Sequence, residues 1–352
     1  MKICHFINYG PRLAGMYETC RELCAAECAL GHEAKLVDTS WMDAEKPEPN
    51  TFRFDRGVDI ATSEWAVDAD VHVLHSRIPP KLHGKKPVVM LLHGAPEYLF
   101  YSQVFHHNEG DGSHSTILHY GQDKAVKMFV TMWERHVPYW QAILGDDRVK
   151  LIPPIVDMLA FSPDGDKEEL KKSGKFNIGF CDTWRPTFYK EPFQVIAGVR
   201  EYWKKNKDAM FHIFGIPSEK KRAKQYGNIW DRHILAVQRQ GDFFGMIWEL
   251  HGGMEKVYRA LDVVVTMAVD ENRIVRETLA TGKPLVAPAG NKHTPYTCQI
   301  DNPYSVAETL IRVRSDLEAS PDAVKEKSLE SIKAMGVENS AKEFVKILES
   351  VL

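Results

Sequence analysis

Residues 270–288 (DENRIVRETLATGKPLVAP) combine polar side chains with a helix signal in a way that suits an anionic ligand. Asn272 is a good helix N-cap, residues 273–281 favour a helix, and Gly282 supplies the left-handed residue that ends it. A helix that begins at the carboxyl end of a parallel strand presents free amides and the positive end of its dipole to a ligand. The segment therefore predicts a phosphate-binding helix N-terminus.

Glu277 lies one turn into this helix, where its carboxylate could hold sugar hydroxyls. Two apolar runs, residues 261–267 and 285–287, flank the helix and are typical of covered parallel strands. The alternative for Glu277 is an ordinary acid near a helix N-terminus, where the dipole favours it. A nucleotide-sugar offers both phosphates and hydroxyls, and it is the ligand that this combination favours.

Release of a sugar from a diphosphate also needs positive charge, because negative charge develops on the leaving phosphate. Arg185 and Lys190 could supply it, the arginine through bidentate contacts and the lysine as a point charge. The amides of Arg273, Ile274 and Val275 could add to it without a metal. Solvated loop charges are the alternative for Arg185 and Lys190. No residue stands out as a covalent nucleophile.

Apolar runs and helical segments alternate along both halves of the chain. Strands are predicted at residues 3–8, 34–37, 71–75, 88–92, 149–152, 176–180 and 210–214, besides the two runs named above. A helix is predicted at residues 15–30. This alternation predicts an α/β fold of doubly wound parallel sheets. Gly10 and Gly15 are spaced wrongly for the G-x-G-x-x-G fingerprint, which argues against a nicotinamide dinucleotide.

Composition narrows the class of protein. With 352 residues, 44% hydrophobic and 26% charged, the chain suits two globular domains. Its apolar runs are far short of a membrane span, and its first residues show no signal-peptide pattern. Six cysteines without disulfide-like spacing predict a reducing, cytoplasmic location. The net charge of −3 gives no general attraction to nucleic acid, and a local basic groove stays open. The oligomeric state is not indicated.

Two sequence patterns resemble metal sites. Cys20, Cys24 and Cys28 recur every four residues on one helical face, where small core residues are favoured over a metal cluster. Residues 68–70 and 164–166 both spell D-x-D, but neither is predicted to follow a strand into a pocket. We therefore expect no metal site.

Histidines end two of the predicted strands. His93 follows residues 88–92 and could contact a ligand at that sheet edge, or it could be a hydrogen-bonded core residue. His75 is more typical of packing. Residues 98–115 form a Gly- and His-rich stretch that predicts a mobile surface loop, with a lid or a metal site as alternatives.

Four motifs occur in the order found in GT-B glycosyltransferases and resemble the retaining enzymes of family 4. They are Gly15 with its helix ending LGHEA, then VKLIPPIVDMLAFSPDG, GMEKVYRALDVVVT and RETLATGKPLVA. Segments such as NYGPRLAGMYE and NRIVRETLATG are similar to bacteriophage-encoded members. The resemblance covers most of the chain and implies two doubly wound Rossmann-like domains facing across a cleft. These would be an acceptor-side domain at 1–160 and a donor-binding domain at 161–335, with a terminal helix at 336–352 that could pack back on the first.

The resemblance also implies roles for individual residues. Glu277 would bind the ribose hydroxyls of the donor, and Arg185 and Lys190 would neutralise its diphosphate. Gly15 would let the diphosphate approach the first helix, and His93 would lie near the transferred sugar.

The loop before the donor helix departs from the family pattern. The family has a second acid eight positions before Glu277, where this chain has Val269. Asp270 and Glu271 are close by, so together with Asn272 they are the candidates for donor-sugar contacts in a slightly shorter loop.

The implied activity is transfer of a sugar from a nucleotide-diphosphate sugar to an acceptor hydroxyl, with retention and without a cofactor. UDP is favoured over GDP as the nucleotide. The phage likeness and the basic stretches at residues 81–86 and 220–224 favour a 5-hydroxymethylated pyrimidine in DNA as acceptor. A surface polysaccharide or a lipid-linked sugar is the alternative. An epimerase or hydrolase of the same shape, and a nucleotide-sugar or DNA-binding module without turnover, are rival functions.

Overall fold

Two six-stranded parallel sheets organise the chain. The computed structural model describes residues 1–7, 15–38, 63–75, 82–97, 99–100, 114–170, 172–182, 192–215, 232, 236, 238–239, 241–248 and 253–352. Unit 1 consists of residues 1–156 and 334–352, and unit 2 of residues 157–333. None of the helices in these ranges is long and apolar enough to span a membrane.

Unit 1 alternates strands and helices. Its elements are β1 (Lys2–Ile7), α1 (Gly15–Ala29), β2 (Glu33–Asp38), α2 (Ser63–Asp68), β3 (Val71–Leu74), β4 (Val88–Leu92), α3 (His114–Gly121), β5 (Val126–Thr131), α4 (Val137–Leu144) and β6 (Val149–Leu151). The strand order is β2-β1-β3-β4-β5-β6. β3 and β4 are buried along their whole length, as expected for apolar strands of a parallel sheet covered on both faces.

The chain returns to unit 1 at its end. After a short 3₁₀ segment at Lys333–Met335, α10 (Val337–Glu349) packs against α1. Phe344 and Leu348 of α10 are fully buried in the same cluster as Leu23 of α1 and Ile3 of β1. This terminal helix therefore completes one face of the first sheet.

Unit 2 repeats the alternation. Its elements are β7 (Phe176–Phe180), α5 (Pro192–Lys205), β8 (Ala209–Phe214), β9 (Phe244–Trp248), α6 (Met254–Ala260), β10 (Val263–Val265), α7 (Arg273–Ala280), β11 (Leu285–Pro288), β12 (Thr297–Cys298), α8 (Pro303–Ala319) and α9 (Pro321–Ser331). The strand order is β12-β11-β10-β7-β8-β9. That is the doubly wound Rossmann order, whose direction of winding reverses between β7 and β10.

The predicted elements around α7 occur with small changes in length. The strand predicted at residues 261–267 is shorter, because only Val263–Val265 form the ladder with β7 and β11. Gly282 has φ of 69°, the left-handed conformation predicted for the residue that ends the helix.

Candidate functional site

Helix α7 begins at the edge of the second sheet where a Rossmann fold binds its ligands. Its strand, β10, lies next to β7, and ligands of such sheets bind beyond the carboxyl ends of the strands at this reversal point. Residues Ile274 to Ala280 of α7 are all buried, although the helix carries Arg276 and Glu277. Charged side chains are costly to bury unless they are paired, so their presence here indicates a polar site within the protein.

Asn272 caps α7 as predicted, and the cap changes what the helix offers to a phosphate. The Asn272 side chain accepts a hydrogen bond from the Val275 amide at 3.1 Å. The Val275 amide thus already has an acceptor within the protein, and its contribution to an anion site stays a prediction. Arg273 and Ile274 form the first turn beyond the cap, where the helix dipole still favours negative charge.

Glu277 is held on both carboxylate oxygens. Arg273 donates to Oε1 at 2.6 Å, and the Tyr258 hydroxyl donates to Oε2 at 3.1 Å. The carboxylate predicted to receive sugar hydroxyls thus has protein partners in this structure. Burial raises the pKa of Tyr258 well above its usual value, and Glu277 adds to the effect, so the phenol remains a donor.

Glu271 belongs to a second polar group at the same loop. The nearest partner of its Oε1 is His293 Nε2 at 2.8 Å, and Lys292 Nζ lies at 3.7 Å. His293 Nδ1 faces the Ser331 carbonyl oxygen at 3.1 Å. Both partners of the His293 ring accept hydrogen bonds when Glu271 is ionised, so the ring satisfies both only as an imidazolium. Burial raises the pKa of Glu271, but the hydrogen bonds from His293 and from the Glu271 amide, together with the charges of His293 and Lys292, outweigh burial and lower the pKa.

Asp270 lies beside this group and closes the loop. Its carbonyl oxygen accepts from the Asn272 amide at 2.8 Å, and its side chain is buried. Asn291 also stabilises the loop, since its side-chain Nδ2 donates to the Ala268 carbonyl oxygen at 3.3 Å. Asp270, Glu271, Asn272 and Arg273 are therefore fixed by hydrogen bonds rather than left as a solvated turn.

The candidates of unit 1 occupy the first turn of α1 and the end of β4. Gly15 is the exposed first residue of α1. His93 directly follows β4 and is half-buried, with Nε2 at 2.6 Å from Nδ1 of His75. His75 is not a simple packing residue, because both of its ring nitrogens make short contacts with other histidines.

Several predicted residues lie outside the described part of the chain. Arg185 and Lys190 are among them, as are the basic stretch at 220–224 and most of the Gly- and His-rich loop. Their roles stay predictions.

The two patterns that resemble metal sites, the D-x-D sequences and the three cysteines, make contacts within the protein. Asp68 pairs with Lys2 at 2.5 Å, and Asp166 pairs with Lys256 at 3.3 Å, so each has a lysine partner. Cys20 and Cys24 are buried core residues as predicted, but the prediction is wrong for Cys28, which is exposed. His5, Cys20 and Cys24 offer ligand atoms within 4.8 Å of one another. Burial raises the pKa of both thiols, which favours the protonated form over the thiolate that a metal needs.

Tyr258 and His293 are part of the site and were not predicted. Tyr258 sits within the motif GMEKVYRALDVVVT, but nothing local indicates that α6 brings its hydroxyl to Glu277. His293 follows β11 by several residues, and only the fold places it beside Glu271. The sequence signal that could have indicated His293 is its position shortly after a buried strand.

Known structures share this fold along the whole chain. The Anabaena protein HepE in complex with UDP-glucose is 12% identical, with a TM-score of 0.69, and the match covers 99% of this chain and 100% of that one. Sucrose-phosphate synthase from Thermosynechococcus elongatus is 12% identical, with a TM-score of 0.68 and 99% of both chains covered. An α-glucosyltransferase in complex with UDP and a 13-mer DNA containing an HMU base is 13% identical, with a TM-score of 0.65 and 99% of both chains covered. No protein-family model and no curated protein sequence matches the chain.

Two parallel Rossmann-like sheets with flanking helices, matched over the full length by these structures, define the GT-B fold of glycosyltransferases. The predicted fold class is confirmed at this level.

Proposed function

We propose that the chain is a glycosyltransferase that moves a sugar from a nucleotide-diphosphate sugar to an acceptor hydroxyl. The observation that carries the proposal is the buried, hydrogen-bonded Glu277 on α7, at the ligand-binding edge of a Rossmann sheet in a GT-B chain. UDP is the favoured nucleotide, in line with the UDP and UDP-glucose complexes of the structural neighbours. No cofactor is required in this proposal.

Glu277 and Arg273 exchange partners when the donor binds. Ribose hydroxyls donate to Glu277 Oε1 and displace the Arg273 guanidinium, which turns toward the diphosphate. Tyr258 keeps its hydrogen bond to Oε2 and holds the carboxylate in place. The exchange conserves the hydrogen bonds of a buried carboxylate, which would be costly to leave unpaired.

Transfer then proceeds with retention by attack on the front face of the sugar. The bond between the anomeric carbon and the phosphate oxygen breaks, and the departing phosphate takes the proton of the acceptor hydroxyl. The acceptor oxygen bonds to the anomeric carbon on the same face. Arg185, Lys190 and the first turn of α7 stabilise the charge that develops on the phosphate, and His93 contacts the transferred sugar.

Calorimetric titration with UDP-glucose, GDP-glucose and UDP tests the donor site. Glu277→Gln removes the charge but keeps the shape, and we expect it to weaken UDP-glucose binding by about tenfold or more. Glu308→Gln, at an exposed position of α8 in the same unit, is the matched control and should bind like the wild type. Equal affinities of Glu277→Gln and wild type would refute this donor site. Donor binding without transfer to any acceptor would favour a binding module.

We propose a 5-hydroxymethylated pyrimidine in DNA, of bacteriophage type, as the acceptor. The neighbour in complex with HMU-containing DNA supports it. WaaG, a neighbour involved in lipopolysaccharide biosynthesis, favours the alternative of a surface glycan or lipid-linked sugar.

Acceptor identity is tested by incubating the protein and UDP-glucose with hydroxymethyluracil DNA, hydroxymethylcytosine DNA, unmodified DNA and simple glycans. Mass spectrometry of the digested nucleosides should show one added hexose on a hydroxymethylated base and none on unmodified DNA. Label on glycans alone would replace DNA by a glycan acceptor.

A further inference from the structure

Three histidines lie on neighbouring strands of unit 1 and point to one face of its sheet. His5 is in β1, His75 follows β3 and His93 follows β4, and these strands are adjacent in the order β1-β3-β4. Each histidine continues the alternation of apolar residues that face α1 and α10. Those residues are Ile3, Ile7, Val71, Val73, Val89 and Leu91. The three rings therefore form a row across the sheet.

The rings are joined to each other and to a carboxylate by hydrogen bonds. Glu27 Oε2 lies 2.8 Å from His5 Nε2, and His5 Nδ1 lies 2.8 Å from His75 Nε2. His75 Nδ1 lies 2.6 Å from His93 Nε2. Each contact holds one proton, so the direction of the bond between His5 and His75 fixes the direction of the bond between His75 and His93 when the His75 ring is neutral.

The buried end of the row fixes that direction. Glu27 and His5 are both fully buried, and Glu27 Oε1 has no hydrogen-bond partner among the described residues. A Glu27 carboxylate beside a neutral His5 would leave a net charge in an apolar core, which is strongly unfavourable. The pair is stable when it holds one further proton, either as a carboxylate with an imidazolium or as a carboxylic acid that donates from Oε2 to a neutral imidazole. A proton on Oε1 would have no acceptor among the described residues.

Both forms of that pair give the same pattern along the row. In each of them His5 carries a proton on Nδ1 and donates to His75 Nε2. His75 is then neutral with its proton on Nδ1, and it donates to His93 Nε2. A second proton on His93 would have to sit on Nε2, where it would oppose the N–H of His75. His93 is therefore held neutral, with its own proton on Nδ1.

The other charges at the row agree with this pattern. Burial alone lowers the pKa of His5, whereas the charge and the hydrogen bond of the Glu27 carboxylate raise it. Burial places the pKa of His75 well below its usual value, and a positive charge on His5 lowers it further, so that ring stays neutral. Cys20 and Cys24 are the other titratable groups of α1 at His5, and burial keeps them as uncharged thiols. From α10, the ring that faces His5 is Phe344.

We propose that Glu27, His5 and His75 are positioning residues that hold His93 as a neutral imidazole protonated on Nδ1. Within the proposed glycosyltransferase, on which this part rests, His93 is then a hydrogen-bond donor to the sugar and not a base. Glu27, His5 and His75 thus set the hydrogen-bonding role of His93 without contacting the substrate themselves.

Nitrogen NMR of the full-length protein with ¹⁵N-labelled histidine tests the proposal without any substrate. The chain has fifteen histidines, and loss of one signal set in His93→Asn assigns His93. We expect a protonated-type shift for Nδ1 and an unprotonated-type shift for Nε2 across pH 6 to 8. Protonation of Nε2, or of both nitrogens at pH 7, would overturn the proposal. This measurement needs only wild-type protein and the assignment variant.

His75→Phe breaks the row and His72→Phe is its matched control. His72 is equally buried on β3, but its ring binds the Ala66 carbonyl and lies outside the row. In His75→Phe, the His93 signals should show both tautomers, and Nε2 should be free to take up a proton as the pH is lowered. In His72→Phe they should stay as in the wild type. A His93 that is unchanged by His75→Phe would overturn the proposal.

Kinetics separates this proposal from the glycosyltransferase function. His75→Phe should lower kcat about fivefold and add an acidic limb to its pH profile, while His72→Phe leaves the profile as in the wild type. If no sugar is transferred, the proposed function fails while the NMR result stands. If transfer occurs and the His75→Phe profile stays flat, the positioning role fails.

Discussion

Glu277, the proposed donor-binding residue, shows how a charged side chain is kept stable inside a folded protein. Its carboxylate is buried, and Arg273 and Tyr258 satisfy one oxygen each. Arg273 lies one helical turn before Glu277 on α7, so little conformational entropy is lost when the two side chains pair. In the proposed exchange the donor replaces only the Arg273 contact, and the Tyr258 hydrogen bond continues to position the carboxylate.

Tyr258→Phe should reveal the cost of leaving that carboxylate with one partner. Loss of a hydrogen bond to a buried charged group predicts a decrease of about 2 kcal/mol in the free energy of unfolding. Urea denaturation measures it. Tyr304→Phe, which changes an exposed tyrosine in the same unit, should have almost no effect. Equal stabilities of the two variants would contradict the contact between Tyr258 and Glu277.

The contact between Glu271 and His293 should make stability depend on pH on the acid side. The folded pKa of Glu271 is lowered, so its contribution is fully present above the unfolded value near 4.5 and disappears as the pH falls through the folded value. Wild type should therefore exceed Glu271→Gln in stability at pH 7, and the difference should shrink below pH 4.5. Urea unfolding at pH 7, 5.5 and 4 measures this. A difference that stays constant with pH would rule out the ion pair.

At the scale of the element, the residues at its two ends fix where α7 begins and where it stops. Asn272 closes the first turn onto the Val275 amide, and Gly282 ends the helix with a positive φ. Both residues were predictable because each has a local physical role. The partners Tyr258 and His293 were not, because they depend on how α6 and the segment after β11 pack in three dimensions.

Asn272→Ala should lower the free energy of unfolding by about 1 kcal/mol, the usual contribution of an N-cap. Asn302→Ala is the matched control, since Asn302 caps α8 by the same contact to the Ser305 amide at 3.2 Å. The two variants should lose similar stability in urea. UDP-glucose binding should weaken only in Asn272→Ala, because fraying of α7 displaces Arg273 and Glu277. Equal binding by both variants would remove the first turn of α7 from the donor site.

The histidine row illustrates a different limit of sequence analysis. His75 and His93 were recognisable as histidines that end strands, but His5 lies inside β1 and Glu27 inside α1. The parallel register, in which His5 pairs with Val73, brings them together. A single sequence specifies the alternation of each strand, whereas the order of strands comes only from the fold.

At the scale of the whole molecule, the fold class was predictable from the alternation of strands and helices in both halves. The same alternation could not show that the first unit is discontinuous. The chain leaves unit 1 after Val156 and returns to it just before Met335, and these two segments are paired by hydrogen bonds. The Val156 amide donates to the Met335 carbonyl oxygen at 3.2 Å, and the Val337 amide donates to the Val156 carbonyl oxygen at 3.1 Å. Such pairing over a long sequence separation has no local signal.

Phe344→Ala should destabilise unit 1, since this fully buried ring of α10 packs in the core with α1. A decrease of about 3 to 5 kcal/mol in the free energy of unfolding is expected for a buried aromatic side chain. Hydrogen exchange read by mass spectrometry should show loss of protection in β1 and α1, with protection in β7 and β10 unchanged. Uniform loss in both units would contradict the separation of the cores. Ile311→Ala, at an exposed position of α8, is the control.

The late return of the chain to unit 1 has a consequence for its synthesis. Domains generally fold in the order in which the ribosome releases them. Here residues 157–333 are synthesised before α10, so the first sheet still lacks that helix when the second unit is complete. Unit 1, which begins first, is therefore completed after unit 2. Until then the apolar face that α10 covers stays exposed to solvent.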